Sequence, residues 1–247
     1  MTDQSDLFED VDPSRYVVGI DLGTTNIAVA YVDTVKRKPR RIKIFKLPQL
    51  VAPGQIESWE TLPSFHYQPA EGEVAGDVLR MPWDVADPKF VVGRMARHYG
   101  TTNPGRMIAS AKSWLCHSGV DRTAELLPWH AMPDVERLSP TEVSARYLRH
   151  VRDAWDAAFP DEPLADQDIV LTLPASFDEV ARELTVQSAK KAGLPRVLLI
   201  EEPQAAFYAW LDVHKKDWQE LVATDQRILI CDIGGGTSDF TLIHLRE

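Results

Sequence analysis

The sequence predicts an α/β fold, and three observations carry that expectation. Short runs rich in Val, Ile and Leu recur at Tyr16–Asp21, Asp168–Leu173, Arg196–Ile200 and Arg227–Ile233, the mark of strands covered on both faces. Amphipathic helical segments with legible start signals stand between them. Strand and helix alternate along the chain, which is the order of an α/β domain.

Composition narrows the class. The 247 residues carry 27 Lys and Arg against 37 Asp and Glu, a net charge of −10, too acidic for a general nucleic-acid binder. At 44% hydrophobic residues the chain has the make-up of a globular protein. It has no apolar run of about 18 residues to span a bilayer, and its start, MTDQSDLFEDVDPS, is unlike a signal peptide. The reading is cytoplasmic, with neither nucleic acid nor membrane as a partner. Cys116 and Cys231 lack metal-ligand spacing and are expected as reduced thiols in apolar surroundings. The seven histidines are scattered, and surface or satisfied core roles are expected for all of them.

Residues 1–15 read as a mobile acidic tail. The basic run Lys36-Arg37-Lys38-Pro39-Arg40-Arg41 reads as a solvated turn between a strand ending near Val32 and one starting near Ile42. Residues 47–138 hold four of the seven tryptophans, Trp59, Trp83, Trp114 and Trp129, and read as a subdomain inserted into the α/β frame. It has one expected helix, from Asn103-Pro104 through Met107, Ile108, Ala111 and Leu115. Ser139-Pro140-Thr141-Glu142 is a capping box that opens a helix with Val143, Tyr147, Val151, Trp155 and Ala158 on its apolar face. Ser176-Phe177-Asp178-Glu179 is a second box, leading through Val180, Leu184 and Ala189 to Lys190-Lys191 and a stop at Gly193. A third helix opens at Pro203 and is expected to bury Ala206, Phe207, Trp210 and Leu211.

The informative feature is an internal echo. Val-Val-Gly-Ile-Asp21-Leu-Gly23-Thr24-Thr25-Asn26 returns near the end of the chain as Ile-Leu-Ile-Cys-Asp232-Ile-Gly234-Gly235-Gly236-Thr237-Ser238-Asp239. In each copy an apolar strand delivers an aspartate to a sheet end, and small residues then let backbone amides approach a ligand closely. Such a turn suits phosphate oxygens. The aspartate suits a hydrated divalent cation bridging to them, with Mg²⁺ the natural ion. Neither loop is a P-loop or a Rossmann turn. Leu199-Ile200-Glu201-Glu202-Pro203 brings further carboxylates to a strand end, where Glu202 or Glu201 completes the cation shell.

At these residues the chain resembles the ATPase part of the DnaK-type heat-shock protein 70 family, within the actin-like superfamily. The resemblance is carried by GIDLGTTN from Gly19, LPSF from Leu62, VVG then TNP between Val91 and Pro104, LTLPASFDEVAR from Leu171, AKKAGLP from Ala189, EEPQAAFYAW from Glu201 and CDIGGGTSDF from Cys231. It implies an actin-like (ribonuclease H-like) fold, with lobe I nearly complete over residues 16–226 and lobe II only begun over 227–247. It implies ATP or ADP with Mg²⁺: Gly23, Thr24, Thr25 and Asn26 against the phosphates on one side, and Gly234, Gly235, Gly236 and Thr237 on the other. Asp21, Asp232 and Glu202 are then placed around the water shell of the ion, and Thr237 beside the attacking water. Pro174 and Arg182 match the family's interdomain relay.

Three departures follow. Counting from TNP, the family's catalytic lysine falls on Arg97, whose fork geometry differs from an ammonium; slow hydrolysis is expected. Leu198 and Glu201 depart from the pattern that J-domain co-chaperones read. The chain also stops at Glu247, so a fragment with poor nucleotide affinity of its own is expected. The implied function is an ATP-hydrolysing chaperone domain controlling a C-terminal peptide-binding domain. Its implied partners are client polypeptides, a J-domain co-chaperone and a nucleotide exchange factor. The competing readings are a nucleotide-sensing scaffold with slow or no hydrolysis, and another actin-like machine.

Overall fold

The computed structural model describes residues 14–35, 41–235 and 238–246. The tail expected at 1–15 and the basic turn therefore fall largely outside the described residues, as do Gly236 and Thr237. The chain opens with β1 (Tyr16–Leu22), β2 (Asn26–Asp33), β3 (Lys43–Ile44), β4 (Leu47–Ala52), β5 (Gln55–Trp59), β6 (Thr61–Pro63), β7 (Phe65–Tyr67) and β8 (Val91–Val92). Then come α1 (Arg94–Thr102), β9 (Met107–Ala109), α2 (Ala111–Leu115), α3 (Pro140–Ala158), β10 (Asp168–Leu173), α4 (Glu179–Lys191) and β11 (Val197–Glu201). The last elements are α5 (Glu202–Val213), α6 (Trp218–Leu221), β12 (Arg227–Ile233) and β13 (Ser238–His244).

The main sheet is mixed. Its order is β11-β10-β1-β2-β3, with β6 joined to the far end of β2. The β1–β10 and β10–β11 pairs are parallel and β1–β2 is an antiparallel hairpin, so β1, β10 and β11 all end on the same side. A smaller sheet, β8-β7-β9, and the β4–β5 hairpin lie in the tryptophan-rich stretch. The β12–β13 hairpin forms a sheet of its own.

Apolar burial explains the frame. In α3, Val143, Tyr147, Val151, Ala154 and Trp155 are buried, the i, i+4 stripe of a helix covering a sheet. Trp155 is fully buried among Tyr16, Tyr31, Phe45 and Phe159, with ring centroids 4.6–5.4 Å away. Emptying that site by Trp155→Ala costs about 3–5 kcal/mol. The Ser139 hydroxyl accepts from the Glu142 amide 3.1 Å away, so Ser139 caps the helix as expected, while the Glu142 carboxylate turns to Arg146. Ala158, on the last turn, is exposed instead of closing the apolar face.

Five expectations are corrected. The helix expected from Pro104 to Leu115 is broken into a single turn at Pro104–Arg106, strand β9 and α2. Pairing of β9 with β7 overrides the helical spacing, and Ser110 at φ 53 turns the chain between them. The cap of α4 is Asp178, whose carboxylate accepts from the Ala181 amide at 2.8 Å. Ala181, Leu184, Thr185, Ser188 and Ala189 then form the buried face, and Val180 is exposed. In α5 only Pro203 is buried: Ala206 borders an open cavity, and Phe207, Trp210 and Leu211 are only half-buried. Both cysteines are exposed, and His66, although buried, has a partnerless Nδ1.

Candidate functional site

The cavity beside α5, about 580 Å³ in volume, lies where the parallel strands end, the usual place for a ligand in an open α/β sheet. Sheet register sets its floor: Asp21 of β1 pairs with Thr172 of β10, which pairs with Ile200 of β11. Asp21 is held in place by the Thr172 hydroxyl, which donates to it at 3.0 Å. One residue beyond β11, Glu202 opens α5 and faces the same cavity.

The β1–β2 turn forms one wall through Gly23, Thr24, Thr25 and Asn26. It is braced from below by Ser64, whose hydroxyl donates to the Gly23 carbonyl at 2.7 Å and whose amide donates to the Thr25 carbonyl at 2.9 Å. Only glycine fits at position 23, since a Cβ there would lie 2.3 Å from the Asn26 carbonyl oxygen. Asp232, Gly234 and Gly235 of the β12 turn supply the opposite wall. The two turns meet closely: a Cβ on Gly235 would lie 2.5 Å from Thr25 Oγ1. The echoed sequences thus form two facing, narrow, amide-rich turns, a geometry suited to anions.

A cation that the sequence reading missed completes the cavity. Lys112 of α2 lines it, is buried, and forms an ion pair with Glu202. Arg97 is not there. It sits on the exposed side of α1 and lines a separate cavity of about 440 Å³ with Trp59, Arg94 and Thr101. The physical reason is the break at Ser110: α1 buries Met95, Ala96 and Gly100, whereas α2, packed between α3 and α4, turns Lys112 inward. The signal available in the sequence was a lone lysine inside Ala111–Leu115, a place where a solvated charge has no reason to be.

Charges around the cavity are coupled. Burial raises the Glu202 carboxyl above the usual range; Lys112 pulls it back down, while Asp21 and Asp232 push it further up. Among the described residues no three metal-ligating side chains converge tightly enough to bind an ion directly. Carboxylates ringing an open cavity suit instead an ion that keeps its waters, as Mg²⁺ does.

Pro174 also lines the cavity, whereas Arg182 stands behind it. Its guanidinium donates to the Phe177 carbonyl at 3.3 Å and to the Glu201 carboxylate at 2.7 Å. Leu198 is exposed on β11. No helix among the described residues is long and apolar enough to cross a membrane.

A chaperone protein HscA homolog of Acinetobacter baumannii strain AYE is 29% identical over 233 residues, and one of Pseudomonas fluorescens strain Pf-5 is 32% identical over 244 residues. Each match covers 94% of this chain and 33% of the relative, so the chain spans about a third of the length of these relatives. The family model described as Hsp70 protein matches residues 17–247, and the chain therefore belongs to the Hsp70 family.

Proposed function

We propose that this chain is the nucleotide-binding part of an Hsp70-type chaperone, binding and hydrolysing ATP with Mg²⁺ to control a peptide-binding domain carried elsewhere in the protein. The observation that carries the reading is the pair of facing Asp–Gly turns across one cavity, with Lys112 and Glu202 paired between them. In this reading residues 16–226 are ATPase lobe I and 227–247 begin lobe II. Client polypeptides are the substrate, J-domain and exchange-factor partners follow from the family, and the chaperone is cytoplasmic.

Each side chain has a separable task. Amides of the Gly23–Thr25 and Gly234–Gly236 turns hold the phosphate oxygens from two sides. Asp21, fixed by Thr172, Asp232 and Glu202 would hold a hydrated metal ion by accepting hydrogen bonds from its waters. The ion supplies neutralisation of phosphate charge. Lys112 would add a compact positive charge where negative charge grows as the terminal phosphate departs, and Thr237, by the family resemblance, would orient the attacking water. In this reading Lys112, which lines the cavity, takes the part expected of Arg97, which does not.

Steady-state ATP hydrolysis by the intact protein tests this. Turnover that falls about 100-fold in both Asp21→Asn and Thr237→Ala supports it; turnover unchanged in both overturns it.

A further inference from the structure

Glu201 lies one residue before the proposed cation-shell carboxylate, and its own side chain points away from the cavity to Arg182. The two neighbouring glutamates are therefore anchored in opposite directions: Glu201 to α4 through Arg182, and Glu202 to α2 through Lys112. Arg182 does more than balance a charge. The same guanidinium donates to the Phe177 carbonyl, and the Phe177 amide in turn donates to the Pro174 carbonyl at 3.1 Å. Pro174 is part of the cavity wall.

Two parts of that wall thus hang on one side chain. The first is the turn after β10; the second is the junction of β11 with α5, where Glu201 pairs with Leu173, the residue before Pro174. Glu201 starts α5 without donating or accepting any cap through its side chain, so its carboxylate is committed to Arg182. The pair is partly exposed, with side-chain exposures of 26% for Arg182 and 39% for Glu201. Such a pair adds little to global stability, yet it fixes the direction in which the next residue leaves the strand.

We infer that Glu201 and Arg182 are positioning residues for Glu202: their ion pair locks the β11–α5 junction and the Pro174–Phe177 turn into the geometry that aims the Glu202 carboxylate at the hydrated Mg²⁺. This rests on the nucleotide-binding reading above. Partners behind a metal-binding carboxylate typically contribute about 10- to 100-fold to metal affinity. The exposure of this pair places the expected effect at the lower end.

The test measures ADP affinity of the intact protein against Mg²⁺ concentration, for wild type, Glu201→Gln, and the reversed pair Glu201→Arg with Arg182→Glu. Glu201→Gln should raise the half-saturating Mg²⁺ about 10-fold, with ADP affinity in EDTA unchanged and the apo melting temperature close to wild type. The reversed pair should recover the part of the loss that runs through the β11–α5 junction, while the Phe177 hydrogen bond stays lost, so its half-saturating Mg²⁺ should fall between wild type and Glu201→Gln. In the apo protein, Glu201→Gln should also speed hydrogen exchange at the Phe177 amide. A half-saturating Mg²⁺ within twofold of wild type, or a reversed pair as impaired as Glu201→Gln, overturns the inference while leaving nucleotide binding intact. Wild-type protein that binds no ADP under any condition overturns the underlying reading, and this inference with it.

Discussion

Replacing Lys112 by Met is the most telling perturbation of the site. It removes the counter-charge from Glu202, a carboxylate already raised by burial and crowded by Asp21 and Asp232. Breaking a buried ion pair from one side costs about 3–5 kcal/mol. The side chains are 7% and 18% exposed and Glu202 borders an open cavity, so the lower end applies, about 3 kcal/mol. With a urea slope of about 2–3 kcal/mol per molar, the unfolding midpoint should fall by about 1 M. Glu202→Gln on the Lys112→Met background should restore part of the loss, giving a coupling of about 1–3 kcal/mol. The pH dependence has a definite sign. Without Lys112 the folded-state carboxyl rises further, so the penalty is full above that raised value and fades as pH falls through it. The gap between Lys112→Met and Lys112→Met/Glu202→Gln should therefore narrow from pH 7 to pH 5. Additive single-site losses, or a gap that widens on acidification, would refute the placement of Lys112 against Glu202.

Three further outcomes follow from the same structure. Gly23→Ala drives a methyl group to 2.3 Å from the Asn26 carbonyl oxygen, so the turn must open, and ATP affinity should drop at least about 10-fold with little change in fold by circular dichroism. Arg97→Ala, on the exposed side of α1, should leave turnover within about twofold of wild type, whereas a fall of about 100-fold would return Arg97 to the chemistry. His66 is held well below the usual histidine range by burial and by Arg146, and His150 is lowered by burial. Such groups cost nothing above their unfolded value near 6.5 and destabilise as pH falls through it, by about 1.4 kcal/mol per pH unit each. Urea midpoints at pH 7.5 and 5.5 should show that loss, and His66→Gln should reduce it.

The strands that carry the site were the most legible part of the chain. Asp168–Leu173 and Arg227–Ile233 read as continuous apolar runs and fold as β10 and β12, because a strand's apolar content is local. The Ser139 cap was equally readable, since a cap involves only four consecutive residues. What failed depended on partners far along the chain. The β7–β9 pairing that cuts the expected helix at Met107 joins segments whose meeting no local spacing announces. Position 176 lost the α4 cap to Asp178, whose carboxylate accepts from the Ala181 amide and also pairs with Arg122 from a distant segment, at 2.8 Å. Ala206 of α5 read as core, and it borders the cavity; helical periodicity marks a face without saying whether protein or open space lies against it. Lys112 was missed for a related reason. Register along the chain put a cation at Arg97, and only the turn at Ser110 brings a different one to the carboxylates.

The central claim is that the facing turns at Gly23–Asn26 and Asp232–Gly235 form a Mg²⁺-dependent ATP site. Calorimetric titration of ATP into the intact protein, with Mg²⁺ and again with EDTA, tests it most directly, run beside Asp21→Asn. The account predicts one saturable site that weakens at least about 10-fold in EDTA and loses most of that Mg²⁺ dependence in Asp21→Asn. No saturable binding by wild type, or binding equally strong with and without Mg²⁺, would contradict it.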